Sequence, residues 1–221
     1  MIDLKLVRGH SFLASLITPG GIVIDAGAHR CEFANRLSSE YGVTVISIEP
    51  NADLSSDRLE QDVTLLRAAL AGKDGEVEFA IDANPEASSI VSRPSSNPAR
   101  TQFVTARSLS SLVAQFGVDE IDLLKLDIEG AEYEVLMQEP GEVLSCCKQI
   151  SVEFHPHDAR DAEDVSRIRC AADRLRGLGF TELKCSYRGY GDILFVNGMH
   201  YDLKIGSLAP YIRKLRERFL G

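Results

Sequence analysis

The chain has 221 residues, 44% hydrophobic and 26% charged, with 33 acidic against 24 basic side chains and a formal net charge of −9. That length suits one α/β domain with a substantial core, and the acidic balance argues against a global nucleic-acid footprint, which needs basic stripes. The five cysteines, Cys31, Cys146, Cys147, Cys170 and Cys185, are odd in number and never at C-x-x-C spacing, which speaks for reduced thiols in a cytoplasmic protein and against a zinc site or disulfide framework.

In chain order, residues 1–20 form an N-terminal segment without the apolar core of a signal peptide, and no apolar run approaches the roughly 20 residues that span a bilayer. "GIVIDAG" (21–27) is a short apolar run ending in Asp25 and Gly27, the pattern of a buried parallel strand. Residues 30–40 read as a helix with Phe33, Ala34 and Leu37 on one face. "VTVISIEP" (43–50) is a second buried strand that delivers Glu49 and stops at Pro50, and a short helix is expected over 51–60. "VTLLRAAL" (63–70) is a third strand. "GEVEFAI" (75–81) alternates, so an antiparallel or edge strand is expected.

Residues 82–100 are crowded with proline, serine and asparagine and predict a long loop, either a substrate loop or a linker. "SLSSLVAQFG" (108–117) predicts a helix closed by Gly117, "IDLLKLDIEG" (121–130) a fourth strand and its turn, and "KQISVEFH" (148–155) a fifth. A long helix over 158–178 has Asp158 as N-cap and a stripe of Val165, Ile168, Ala172 and Leu175. "FTELKCSY" (180–187) and "GDILFVN" (191–197) make a closing antiparallel pair. The C-terminal segment 204–221 holds a basic helix over 207–219, docked through Leu208, Ile212, Leu215 and Phe219.

Strands alternating with helices mean a mostly parallel sheet with helices on both faces, whose ligands bind beyond the carboxyl ends of the strands. The polar residues at those ends are Asp25, Glu49, Asp127, Glu129, Glu153, His155 and His157. Asp25-Ala26-Gly27-Ala28 lacks the further glycines of a pyrophosphate cradle. Glu49, closing the next strand, suits both hydroxyls of a ribose. An adenosine-bearing cofactor without a pyrophosphate makes S-adenosylmethionine a better fit than NAD. In "KLDIEGAEYEVL" (125–136), Gly130 permits a sharp turn, Glu132 suits the first helical turn through the macrodipole, and Glu134 belongs to a solvated face. Asp127 and Glu129 remain as site candidates.

"VIDAGAHRCEF", "SIEP", "AALAGKDGEVEF", "IDLLKLDIEGAEYEVL" and "SVEFH" together resemble the successive blocks of the FkbM-type S-adenosylmethionine-dependent methyltransferases, over roughly residues 20–200. The resemblance implies the class I, Rossmann-like methyltransferase sheet of seven strands with the last antiparallel. It implies cofactor binding by Asp25, Gly27 and Ala28, by Glu49 with Pro50, by Ala68 beside the adenine, and by Asp127 near the reacting centre. Glu129 belongs to the family's signature turn. It also implies O-methylation of a sugar, polysaccharide or natural product. The chain departs from the family at Cys31, where a glycine is usual, and at Arg67-Ala68, where a small polar residue is common.

Methyl transfer is an in-line displacement for which the protein supplies alignment and a fitting environment. His155 is expected as the base for an acceptor hydroxyl, with Glu153 orienting it or binding the acceptor, Glu129 holding the acceptor or the cofactor amine, and His157 as the competing base. A divalent cation held by Asp127, Glu129, Glu153 and the histidines is the less favoured reading. The alternative to an enzyme is a non-catalytic cofactor-binding or partner protein of the same fold, with Cys31 as the feature in its favour. RNA methylation is disfavoured by the net charge.

Overall fold

A computed structural model describes residues 3–54, 58–81, 89–90, 100–156, 162–186 and 190–201. Its centre is a seven-stranded sheet. The parallel strands are β3 (Ile22–Ala26), β4 (Thr44–Ile48), β5 (Val63–Leu66), β10 (Leu123–Leu126) and β11 (Gln149–Val152). The chain closes it with β12 (Phe180–Lys184) and β13 (Ile193–Asn197), in the order β12-β13-β11-β10-β3-β4-β5. The last strand, β13, is antiparallel to both neighbours, as expected.

The period-2 alternation of these strands separates two faces. On one, Ile24, Ile46, Leu124, Leu126 and Ile150 pack under α2 (Leu109–Phe116), α3 (Glu132–Gln138), α4 (Gly141–Ser145) and α5 (Ala162–Gly177). On the other, Val23, Val45 and Leu123 pack under Phe33, Ala34 and Leu37 of α1 (Glu32–Tyr41). Helices therefore cover both faces. Ser108 caps α2, its hydroxyl accepting the Ser111 N–H at 3.2 Å, and Gly117 ends that helix in the left-handed conformation.

Several local expectations change. The first 20 residues contain a hairpin, β1 (Leu4–Val7) and β2 (His10–Leu13), whose β2 is buried throughout and contacts β11 and β13. The described residues of 51–60 form turns and no helix. The expected single strand 63–70 is two. After β5, Arg67 turns away to donate to the carbonyls of Asn51 and Leu54, and β6 (Ala69–Leu70) joins another sheet. That sheet has the order β6-β9-β7-β8, with β7 (Gly75–Ile81) antiparallel to both β8 (Ser89–Ile90) and β9 (Arg100–Arg107). The predicted loop 82–100 thus contains β8, and β9 begins at its end. The rest of that loop, Asp158, His157, residues 187–189 of the closing turn and the C-terminal helix lie outside the described residues. Among the described residues, no helix is long and apolar enough to cross a membrane.

Candidate active site

The parallel strands end along one rim, and there the turns following β3, β4, β10 and β11 enclose a cavity of about 330 Å³. The turn after β3 sits against the turn after β10. Gly27 has φ +77°, and a Cβ there would stand 1.7 Å from the carbonyl oxygen of Asp127. Only glycine fits, and the reason is this backbone contact. Three non-glycine residues of these turns, His29, Cys31 and Glu129, are also left-handed, a conformation costing an L-residue roughly 1–2 kcal/mol. Such strain concentrates at functional sites.

Of the residues expected to hold the cofactor, Gly27, Ala28, Glu49, Pro50 and Asp127 line the cavity. Glu49 is buried; Oε2 accepts the His29 N–H and Oε1 the Asn51 N–H, both at 2.9 Å. Each oxygen keeps a lone pair for a hydroxyl donor. Burial raises the Glu49 pKa against those two bonds. Ala68 is not in the wall; its neighbours Ala69 and Leu70 are, with Phe79 and Ile90 of the second sheet.

Asp25, expected at the rim, is instead fully buried and absent from the cavity wall. Its cross-strand neighbour in the β3–β10 register is Lys125, whose ammonium lies 3.0 Å from Asp25 Oδ1 and 3.6 Å from Asp127 Oδ2, and donates to the Gly27 carbonyl at 3.0 Å. Burial opposes the Lys125 charge, but the two carboxylates more than offset it and raise its pKa. Asp127 is held well below the usual carboxylate range: burial would raise it, but the bond from His10 and the charge of Lys125 prevail.

Glu129, Glu153 and His155 all line the cavity. His155 Nδ1 donates to Glu132 Oε1 at 3.0 Å. Its Nε2 lies 3.6 Å from Glu129 Oε1, 3.7 Å from Asp127 Oδ1 and 3.9 Å from Glu153 Oε1. Burial would discharge the ring, but Glu132 and the surrounding carboxylates raise its pKa to about 9. Burial and the neighbouring carboxylates push Glu129 up to about 7 despite His155. Glu153 is raised too, by burial and by Asp127.

Glu132, read from sequence as a helix-start acid, does more. It is buried, accepts the N–H groups of Ile128 and Gly130, and orients His155. Lys125 and His10 were also missed. A lysine inside an apolar strand was a visible signal for the first; nothing local marked the second. Cys31 is the N-cap of α1 with φ +59°, which explains why glycine is favoured there. Its side chain is fully buried in the cluster containing Val7, Phe12 and Phe33 and is not in the cavity wall.

Among the described residues, two groupings, His10–Asp127–Glu153 and Asp127–Glu129–His155, could geometrically hold a metal ion. Lys125 and His155 set cationic groups against the oxygens of Asp127. The donor set suits a cofactor with a ribose and a cationic end: a carboxylate with spare acceptor capacity at Glu49, and an excess of carboxylates around Asp127.

The sequence profile of the methyltransferase FkbM domain matches residues 25–180, and the chain belongs to that family. The family is one of methyltransferases. The chain is 36% identical over 74 residues to the AMB antimetabolite synthetase AmbE of Pseudomonas aeruginosa, a match covering 34% of this chain and only 3% of that protein. Among solved structures, a fibrillarin pre-rRNA processing protein of Methanococcus jannaschii is 12% identical with a TM-score of 0.47, covering 87% of this chain and 69% of that one. A TehB-like SAM-dependent methyltransferase of Corynebacterium glutamicum is 11% identical with a TM-score of 0.38, covering 83% and 84%.

Proposed function

We propose that this methyltransferase acts on a hydroxyl oxygen of a sugar, polysaccharide or natural product. The observation that carries the proposal is the Glu129–His155 pair in the cavity wall, with pKa values of about 7 and about 9. A hydroxyl is a weak nucleophile and must lose its proton as the new C–O bond forms. A base serves best when its pKa lies near the operating pH. At about 9, His155 is an imidazolium at neutral pH and has no lone pair to offer. The base role therefore passes from His155, where the sequence placed it, to Glu129. His155 becomes the cationic partner of that carboxylate, oriented by Glu132. Glu153, 3.9 Å from the same ring nitrogen, is available to the acceptor hydroxyl.

When bound, S-adenosylmethionine supplies an electrophilic methyl group on a sulfonium. Glu49 would accept its ribose hydroxyls, with Ala28, Pro50 and Ala69 beside it in the wall. Asp127 would face the cationic end, and its depressed pKa keeps it ionised at any working pH. Leu70, Phe79 and Ile90 give the cavity an apolar side.

The test is incubation with methyl-labelled S-adenosylmethionine and a panel of glycans and hydroxylated natural products, followed by NMR of the labelled product. A methyl signal in the O-methyl ether range supports the proposal. Label on nitrogen or carbon, or cofactor binding without transfer to any acceptor, would overturn it.

A further inference from the structure

The N-terminal hairpin precedes the residues matched by the family profile, which begin at Asp25, yet Arg8 lies in the cavity wall and His10 contacts Asp127. β2 is held against the sheet by three sets of polar contacts. The Leu13 N–H donates to Gln149 Oε1 at 2.8 Å, and Gln149 Nε2 returns a bond to the Leu13 carbonyl. Ser11 donates its N–H and hydroxyl to the two oxygens of Asp192 at 3.1 and 2.5 Å. The third set belongs to His10, which is fully buried, with its ring edge-on to Phe33 at 6.0 Å.

His10 Nε2 lies 3.2 Å from Asp127 Oδ2, and Nδ1 lies 3.3 Å from Ser151 Oγ. An ionised carboxylate only accepts, so Nε2 carries the proton. Burial keeps the ring neutral, so Nδ1 accepts the Ser151 hydroxyl. Ser151, Lys125, Asp25 and Ser47 are successive cross-strand neighbours on one face of the sheet. His10 therefore caps a buried polar row. Its single donor, together with Lys125, engages Asp127 Oδ2, whereas Oδ1 is the oxygen nearest His155.

We infer that the hairpin is part of the active site and that His10 is a positioning residue: it holds Asp127 by Oδ2 so that Oδ1 is presented to the cavity. The inference rests on the cofactor site described above. A neutral donor fixes the carboxylate without cancelling its charge, as an arginine or a second lysine in that place would. The donor adds no positive charge to that of Lys125 and His155 beside Asp127.

Three variants and two readouts test it. His10→Leu removes the donor and keeps an apolar side chain, His10→Gln restores an N–H near the position of Nε2, and His10→Asn places its amide nearer the position of Nδ1. Affinity for S-adenosylhomocysteine is measured by calorimetry alongside the melting temperature. The expected result is a loss of about tenfold or more in His10→Leu and His10→Asn, the scale of one hydrogen bond to a charged group, with recovery to within about threefold in His10→Gln. Equal affinity in all three variants, or a loss in His10→Gln as large as in His10→Leu, would overturn the inference. The second readout needs no cofactor. ¹⁵N NMR of the imidazoles should show His10 neutral at pH 7 with the proton on Nε2, and both signals should move in Asp127→Asn. A proton on Nδ1, or no response to Asp127→Asn, overturns the inference even if the wild type binds no S-adenosylhomocysteine, an outcome that by itself would count against the cofactor site.

Discussion

Replacing Gly27 by alanine is expected to damage stability and cofactor binding together. At φ +77° an L-residue costs roughly 1–2 kcal/mol. The new methyl would stand 1.7 Å from the Asp127 carbonyl oxygen and 2.7 Å from its carbonyl carbon. Both are backbone atoms that no rotamer change can move. One of the two turns must shift by more than ~1 Å, at the about 1–3 kcal/mol typical of overpacking. The sum is about 2–5 kcal/mol, and at about 2–4 °C of melting temperature per kcal/mol for a chain of this size a fall of about 10 °C is expected. Moving that turn also moves the Asp127 carboxylate, so affinity for S-adenosylhomocysteine should fall by about tenfold or more. Gly42→Ala is the control. Gly42 has φ +65° as the C-cap of α1, but nothing lies within 4 Å of its added Cβ. It should lose only the conformational part, about 1–2 kcal/mol, with cofactor affinity intact. Thermal melts by circular dichroism and calorimetric titration read both effects. If Gly27→Ala melts within about 2 °C of Gly42→Ala and binds as well, the close approach of the two turns is not the constraint.

Other consequences can be checked directly. Glu129→Gln should cut turnover by about 10²- to 10⁴-fold, the usual scale of general-base catalysis, and a wild-type rate that rises with pH through about 7 should lose that limb in the variant; an unchanged pH–rate profile would remove Glu129 from the chemistry. Glu132→Gln should lower the His155 pKa from about 9 toward its ordinary value, which an NMR titration of the histidine ring would detect. Glu129 and His155 both bind protons more tightly folded than unfolded, so their contribution to stability is fully present below their unfolded values and is lost as pH rises through about 7 and about 9. The melting temperature should accordingly be lower at pH 9 than at pH 6, the depressed His10 pKa opposing the fall only where the unfolded ring titrates, near 6.5; equal melting at both would count against these shifts. Ser108→Ala should cost about 1 kcal/mol through loss of the α2 cap and leave methyl transfer unchanged, since Ser108 does not line the cavity.

Much of the frame was legible because it follows from local pattern. The runs "GIVIDAG", "VTVISIEP" and "IDLLKLDIEG" are too apolar to be anything but buried strands, and a glycine or proline marks where each stops. Glu49 and Asp127 follow directly from those strand ends, and they do line the cavity. The strand β9 escaped notice because its start abuts a stretch dominated by proline and serine, and its outward face includes the exposed Phe103. The hairpin escaped because two four-residue strands carry little periodic signal.

The sequence by itself determined most of the buried strands and helices, the family and which strand ends bear carboxylates, since these depend on near neighbours in the chain. Tertiary structure decided which carboxylate does what. Asp25 and Lys125 are 100 residues apart, and only the β3–β10 register sets them side by side and takes Asp25 out of the rim. His10 meets Asp127 only because β2 docks on β11. Glu132 turns back onto His155 across 23 residues, and that contact, with burial among like charges, makes one group an imidazolium and leaves the neighbouring carboxyl near neutrality. A side chain's proton affinity is set by the charges and solvent around it in space, and distance along the chain does not record those.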